Sequence, residues 1–291
     1  MRYDIRLSIE YTYQAASDHV RNILRLQPVS GPRQRVTASL LTIEPLPDER
    51  RDGVDFFGNP TTSVAWHRPI DQITFQLRAS AERLAQGEEV DLSPALSDLA
   101  ADLALQTDLW PGSPQHFLGA SPRIGHDAAI TAFTQAAIAG ATTTRGAVEA
   151  LGRAIHAEMT YDADATDVMT PPEVAFAERH GVCQDFAQIM IGGLRALGIP
   201  ASYVSGFLRT LPPPGQPRLE GVDAMHAWVG AWCGAAHGWV EYDPTNAQWA
   251  GEDYITVAVG RDYSDAAPVR GAIRTAGGQD SSQAVDVIPL D

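Results

Sequence analysis

The feature that most limits what this chain can fold into stands at its start: Tyr3, Ile5, Leu7, Ile9, Tyr11 and Tyr13 alternate with Asp4, Arg6, Ser8, Glu10 and Thr12. A period of two sends the apolar side chains to one face of a strand, and that face must be covered. Short apolar stretches recur at Val20 to Leu26, Val36 to Ile43, Ser63 to Trp66 and Ile73 to Leu77, punctuated by Pro, Gly, Asn and Asp. Residues 1–85 are therefore expected to form an antiparallel, sandwich-like β domain.

The texture changes at Leu96 to Ala- and Leu-rich sequence, interrupted by Trp110-Pro111-Gly112-Ser113-Pro114 and Ser121-Pro122-Arg123-Ile124-Gly125. This makes 86–142 a helical connecting region. After Thr144, the residues Val148, Leu151, Ile155 and Met159 share one helical face. A second helix starts near Cys183, buries Phe186, Ile189, Met190, Leu194 and Leu197, and stops at Gly198 with Pro200 beyond. Ser202 to Leu208, Ala227 to Trp232 and Trp239 to Tyr242 read as strands, with Pro212-Pro213-Pro214-Gly215 a loop and Cys233 to Gly238 a hairpin connection. The class is α+β: residues 143–275 form a second module with a cysteine-bearing helix on an antiparallel sheet, and 276–291 are a polar, mobile tail.

A chain of 291 residues with 44% hydrophobic residues can bury ample core for two domains. Its formal charge of -15 argues against nucleic acid or an anionic membrane as partner, since the averaged field repels both. Charges at Arg2, Asp4 and Arg6 interrupt any secretory signal, and no apolar run is long enough to cross a bilayer, so a cytoplasmic protein is expected. With only Cys183 and Cys233 there is no disulfide framework, and both read as reduced thiols.

Cys183 stands in the first turn of its helix, where unpaired N–H groups and the positive end of the dipole favour an anion. His226 could form a thiolate–imidazolium pair with it and later protonate a departing amine. Pairing His226 near Asp243 to Thr245 across the hairpin puts His226 and Asp243 on one sheet face, so Asp243 can fix the ring tautomer. The backbone N–H of Cys183 could hold an oxyanion, whereas Gln184 points about a hundred degrees away around the helix.

The neighbours have plainer readings. Cys233 lacks a helix start and is a buried or loop thiol; His180 and His237 sit in a helix approach and a hairpin loop as ordinary exposed polar residues, either of which could touch substrate; Asp185 partners the helix dipole. Trp228, Trp232 and Trp239 read as core or cleft wall rather than a cofactor box, and Trp228 could wall a substrate cleft beside Cys183. Asp162-Ala163-Asp164 and Glu252-Asp253 lack the spacing of a calcium loop. The chemistry requires no metal and no cofactor.

Four blocks, Gly181-Val182-Cys183-Gln184-Asp185-Phe186-Ala187, Leu197-Gly198-Ile199-Pro200-Ala201, His226-Ala227-Trp228-Val229 and Asp243-Pro244-Thr245-Asn246, resemble the catalytic blocks of the transglutaminase-like superfamily, in its branch of bacterial candidate cysteine proteases. Val257 to Tyr263 and Pro268 to Gly271 are similar to the segment that follows in that branch. Leu24-Arg25-Leu26-Gln27-Pro28 and Asp55-Phe56-Phe57-Gly58-Asn59 are similar to its bacterial transglutaminase-like N-terminal domain. The resemblance implies a papain-like core with Cys183 as nucleophile, His226 as base and Asp243 as orienting acid.

These readings lead to a cysteine-dependent acyl-transfer enzyme that hydrolyses a peptide, isopeptide or glutamine-type amide through a thioester, acting on a peptide or protein substrate. The alternatives are transfer of the acyl group to an amine, as in a transglutaminase, or a non-catalytic module that binds peptides or proteins.

Overall fold

A computed structural model describes residues 1–84, 90–210, 221, 223–274 and 277–290. The Pro212 to Gly215 loop lies outside the described residues. In chain order the elements are β1 (Arg2–Leu24), β2 (Gln34–Glu44), β3 (Glu49–Val54), β4 (Pro60–Trp66), β5 (Ile70–Arg83), α1 (Leu96–Ala104), a 3₁₀ turn (Pro114–Phe117), α2 (Ala128–Ala137) and α3 (Thr144–Glu158). There follow β6 (Thr160–Tyr161), α4 (Pro172–Glu178), β7 (His180–Gly181), α5 (Cys183–Ala196), β8 (Ala201–Leu208), β9 (Ala224–Trp232), β10 (Trp239–Asp243), β11 (Gln248–Trp249), β12 (Tyr254–Gly260), α6 (Tyr263–Ala266), β13 (Val269–Arg274) and β14 (Gln279–Pro289). The class is α+β, as the sequence implied.

The opening alternation buries Tyr3, Ile5, Leu7 and Ile9. It runs into the apolar stretch at Val20 without a break in the strand, so β1 is one ribbon of 23 residues serving two half-sheets. Its first half lies between β5 and β14, and its second half between β4 and β13. The inward residues of both halves, among them Ile5, Leu7, Val20, Leu24, Val64 and Trp66, share one core. That core takes in Phe207, Ile255 and Val257 from β8 and β12, so the β domain sits directly on the second sheet.

The C-terminal segment is a correction to the expected mobile tail. Gln279–Pro289 is β14, paired antiparallel with β1 from Tyr3↔Pro289 to Tyr13↔Gln279. Its first residues are polar because their side chains are exposed, and only Val285 and Val287 reach the core. The segment is held by its backbone ladder, which composition does not reveal.

The second sheet has the order β11-β10-β9-β8-β12. Ala201, Tyr203, Ala227, Val229 and Ala231 face a helical core made by α3 and α5 with Leu99, Ile124, Ile130 and Ile138. Residues expected to form a separate connector are thus built into this module. Gly198 takes φ +79 just beyond α5, which lets the chain turn back into β8.

β12 ends the sheet, and its outer edge is closed by side chains of the β domain. Gln34 donates Nε2–H to the Thr256 carbonyl at 2.8 Å and accepts the Thr256 N–H at 2.9 Å. Asn59 does the same to Val259 at 2.7 and 2.8 Å. Both amides are buried and stand in for a neighbouring strand.

Candidate active site

α5 begins at Cys183 because Val182 is extended and Asp185, three residues on, folds back to accept its N–H at 2.8 Å. Asp185 also accepts the Thr166 hydroxyl at 2.6 Å. Burial raises the pKa of Asp185 against the pull of these two donors. Gly181 is required by this closure, since a Cβ there would lie 2.6 Å from Asp185 Oδ2. Asp185 is therefore a buried cap, a more specific role than partnering the helix dipole.

β9 presents His226 and β10 ends in Asp243. The ladder pairs Glu241 with Gly230 and Tyr242 with Val229, so its continuation sets Asp243 opposite Trp228, on the face of His226. His226 Nε2 lies 2.7 Å from Asp243 Oδ2. This leaves Nδ1 of the ring free of Asp243, and Cys183 is near enough to raise the His226 pKa. Burial pulls the His226 pKa down, but hydrogen bonds and charge from Asp243 and Cys183 override it and hold the ring at about 10. The Asp243 pKa is correspondingly lowered: burial pushes it up, and the bonds from His226, Asn246 and Tyr254 outweigh that.

Asp243 is fully buried and surrounded by donors. Oδ2 accepts Asn246 Nδ2–H and the Tyr254 hydroxyl, each at 2.7 Å, besides the ring of His226. Oδ1 accepts the backbone N–H of Thr245 at 2.8 Å and of Asn246 at 3.3 Å. Tyr254 in turn accepts Gln248 Nε2–H at 2.7 Å. Sequence reasoning passed over Asn246 and Tyr254. Asn246 stood in a recognisable block, whereas nothing in a strand reading marks the hydroxyl of Tyr254. Tyr161 and Tyr203 were also missed; their pKa values are raised first by burial and next by the neighbouring Cys183.

The structure brings Cys183, His226 and Asp243 together and withdraws Trp228 from the cleft. The Trp228 indole is 0% exposed, donates Nε1–H to Glu241 at 2.9 Å and packs edge-on against Tyr254. It stacks beside His226 with ring centroids 6.3 Å apart, so it supports the imidazole from behind and cannot meet a substrate. The cause is strand alternation, which puts residues 226 and 228 on the same face. Gln184 turns toward the Val168 carbonyl at 3.4 Å, consistent with leaving it out of the oxyanion site. Cys183 is partly exposed, whereas Cys233 is buried and burial pushes its thiol up to about 12. His180 binds the Glu178 carbonyl two residues back, and His237 accepts the N–H of Leu92 from far along the chain. Among the described residues no cluster of metal-ligating side chains occurs, and no helix is long and apolar enough to cross a membrane.

Comparison with known proteins matches residues 131–244 to the transglutaminase-like superfamily and residues 3–82 to the bacterial transglutaminase-like N-terminal region. An uncharacterized protein of Mycobacterium tuberculosis is 34% identical over all of this chain and 93% of its own length. One from Mycobacterium leprae is 30% identical, covering 97% of each. Among solved structures, a candidate cysteine protease from Cytophaga hutchinsonii superposes with a TM-score of 0.71 at 20% identity, over 100% of this chain and 91% of that one, a likeness of fold. The chain belongs to the transglutaminase-like superfamily, with a bacterial transglutaminase-like N-terminal domain ahead of its core.

Proposed function

We propose that the protein is a cysteine-dependent amidase or protease acting on peptide or protein amides, with Cys183 as nucleophile, His226 as base and Asp243 as the acid that orients it. The observation that carries this reading is an imidazole held at 2.7 Å by a buried carboxylate, with Cys183 near enough to raise its pKa. The Cys183 sulfur attacks the amide carbonyl while its proton rests on His226 Nδ1, and the imidazolium returns that proton to the departing amine. Asp243 holds Nε2–H, so the ring stays in the tautomer that faces sulfur. The backbone N–H of Cys183 is one donor to the tetrahedral oxyanion. Water then cleaves the thioester; hydrolysis is favoured over amine transfer because Cys183 keeps partial contact with solvent. Two free thiols support a reducing, cytoplasmic setting.

The test is competitive labelling with iodoacetamide, read by peptide mass spectrometry. Labelling at Cys183 should exceed that at Cys233 by more than about a hundredfold and should collapse in His226→Ala. Equal, slow labelling of both thiols would remove the nucleophile. A glutamine peptide with and without a primary amine would then separate hydrolysis from transfer.

A further inference from the structure

The outer face of the second half-sheet carries a concavity of about 900 Å³, far from neutral in a chain that is otherwise strongly acidic. Its floor follows from the strand register. Glu49, Ala65, Arg21 and Ala272 form one row across β3, β4, β1 and β13, and Arg51, Ser63, Ile23 and Arg270 form the row two residues along. Alternation sends both rows outward, while Val64 in the intervening row enters the core. The result is a shallow floor of small side chains under three guanidinium groups.

The acids at this site are engaged already. Asp48 is held by Arg68 and by the His67 N–H, and Glu49 by His67 at 2.7 Å. The Glu49 pKa is lowered first by that bond, with Arg21 and Arg51 adding charge. Arg50 is paired with Asp52 at 3.3 Å. Among the described residues Arg21 and Arg51 have no hydrogen bond or ion pair, and Arg270 has only a 3.4 Å contact to the Ser264 carbonyl. Pleated geometry places the Cα atoms of Arg21 and Arg270 about 8 Å apart and those of Arg21 and Arg51 about 12 Å apart.

We propose that this groove docks an acidic polypeptide segment whose carboxylates meet the guanidinium groups of Arg21, Arg51 and Arg270. A long polyanion is disfavoured, because the net charge of -15 repels whatever part of it lies over the surface around the groove, within a screening length of about 8 Å. Docking here is independent of whether Cys183 is the nucleophile.

The test is fluorescence anisotropy of the full chain with fluorescein-labelled octaglutamate, octaglutamine and oligothymidine. Octaglutamate should bind about tenfold tighter than either control and weaken severalfold between 50 and 300 mM salt. The Arg21→Gln/Arg51→Gln/Arg270→Gln variant should bind octaglutamate about tenfold more weakly with an unchanged melting temperature, and each single variant should lose part of that. Arg78→Gln, exposed on β5, should bind as the parent does. Octaglutamate binding no better than octaglutamine, tighter binding of oligothymidine, or equal losses in Arg78→Gln and the single groove variants would each overturn the proposal.

Discussion

Replacing Asp243 by Asn removes one charge and one acceptor from a site that is crowded with donors and has no spare acceptor. The amide can take two orientations, and neither fits. With its NH₂ at the Oδ2 position it meets Asn246 Nδ2–H, the Tyr254 hydroxyl and the His226 ring, all at 2.7 Å in the parent. The hydroxyl can turn, but His226 must then accept on Nε2, which moves its proton to Nδ1 and points it at the sulfur. With the NH₂ at the Oδ1 position it meets the backbone N–H groups of Thr245 and Asn246, which cannot reverse. One or two buried donors are orphaned at about 1–3 kcal/mol each, so a loss of about 2–5 kcal/mol is expected from urea unfolding at neutral pH. The wrong tautomer should also cut the iodoacetamide rate at Cys183 by about 10²–10⁴. The imidazole, at about 10 in the parent, should titrate lower by NMR, because the hydrogen bond to Asp243 does most to raise it. A variant within about 0.5 kcal/mol of the parent, labelled at the parent rate, would refute the argument.

The pH dependence has a definite sign. The His226 contribution is complete below its ordinary 6.5 and is lost as pH rises through about 10, whereas that of Asp243 is present above 3.8 and lost as pH falls through its depressed value. The urea midpoint should therefore fall on both sides of pH 4–6.5, and His226→Gln should flatten the alkaline limb; an alkaline limb identical to the parent's would contradict it. Gly181→Ala, which drives a Cβ into the Asp185 carboxylate, should cost about 1–3 kcal/mol in the same assay. Asn59→Ala leaves the N–H and C=O of Val259 unpaired and should cost about 2–4 kcal/mol, a fall of several degrees in melting temperature. An unchanged melting temperature would mean that water replaces the clamp without loss.

What was legible in the sequence were the elements that bury a regular stripe. Thr144–Glu158 and Cys183–Ala196 follow their helical periods, and Ala201–Leu208 and Ala224–Trp232 follow their apolar runs. Cys183, His226 and Asp243 were readable because each comes with local geometry: a helix start, a strand and its hairpin partner. The misses have a common cause. Glu49–Val54 is a wholly exposed strand, and the first part of Gln279–Pro289 is nearly so, and both are strands because a neighbour's backbone pairs with them. The alternation in β1 lapses over residues 14–19, so a single strand looked like two. Trp228 was misplaced because aromatic character says that a side chain is buried or binding, without saying which.

The two amide clamps bear on the chemistry through one strand. Gln34 and Asn59 fix β12 at Thr256 and Val259, and the same strand begins with Tyr254, whose hydroxyl reaches Asp243. On the other side β12 is laddered to β8, and β8 to β9, which carries His226. A shift of β12 would therefore move a donor of the acid relative to the ring it holds, and hydrogen bonds of 2.7 Å tolerate little displacement before weakening. The β domain thus contributes to the site without supplying a residue to it: it closes the exposed edge of the sheet and, by doing so, fixes the distance between Tyr254 and the carboxylate. Polar side chains mimic a strand here, alongside the Val29 N–H, which donates to the Thr256 carbonyl at 3.2 Å. That is why buried Gln34 and Asn59 stand at a junction otherwise made by Phe207, Ile255 and Val257.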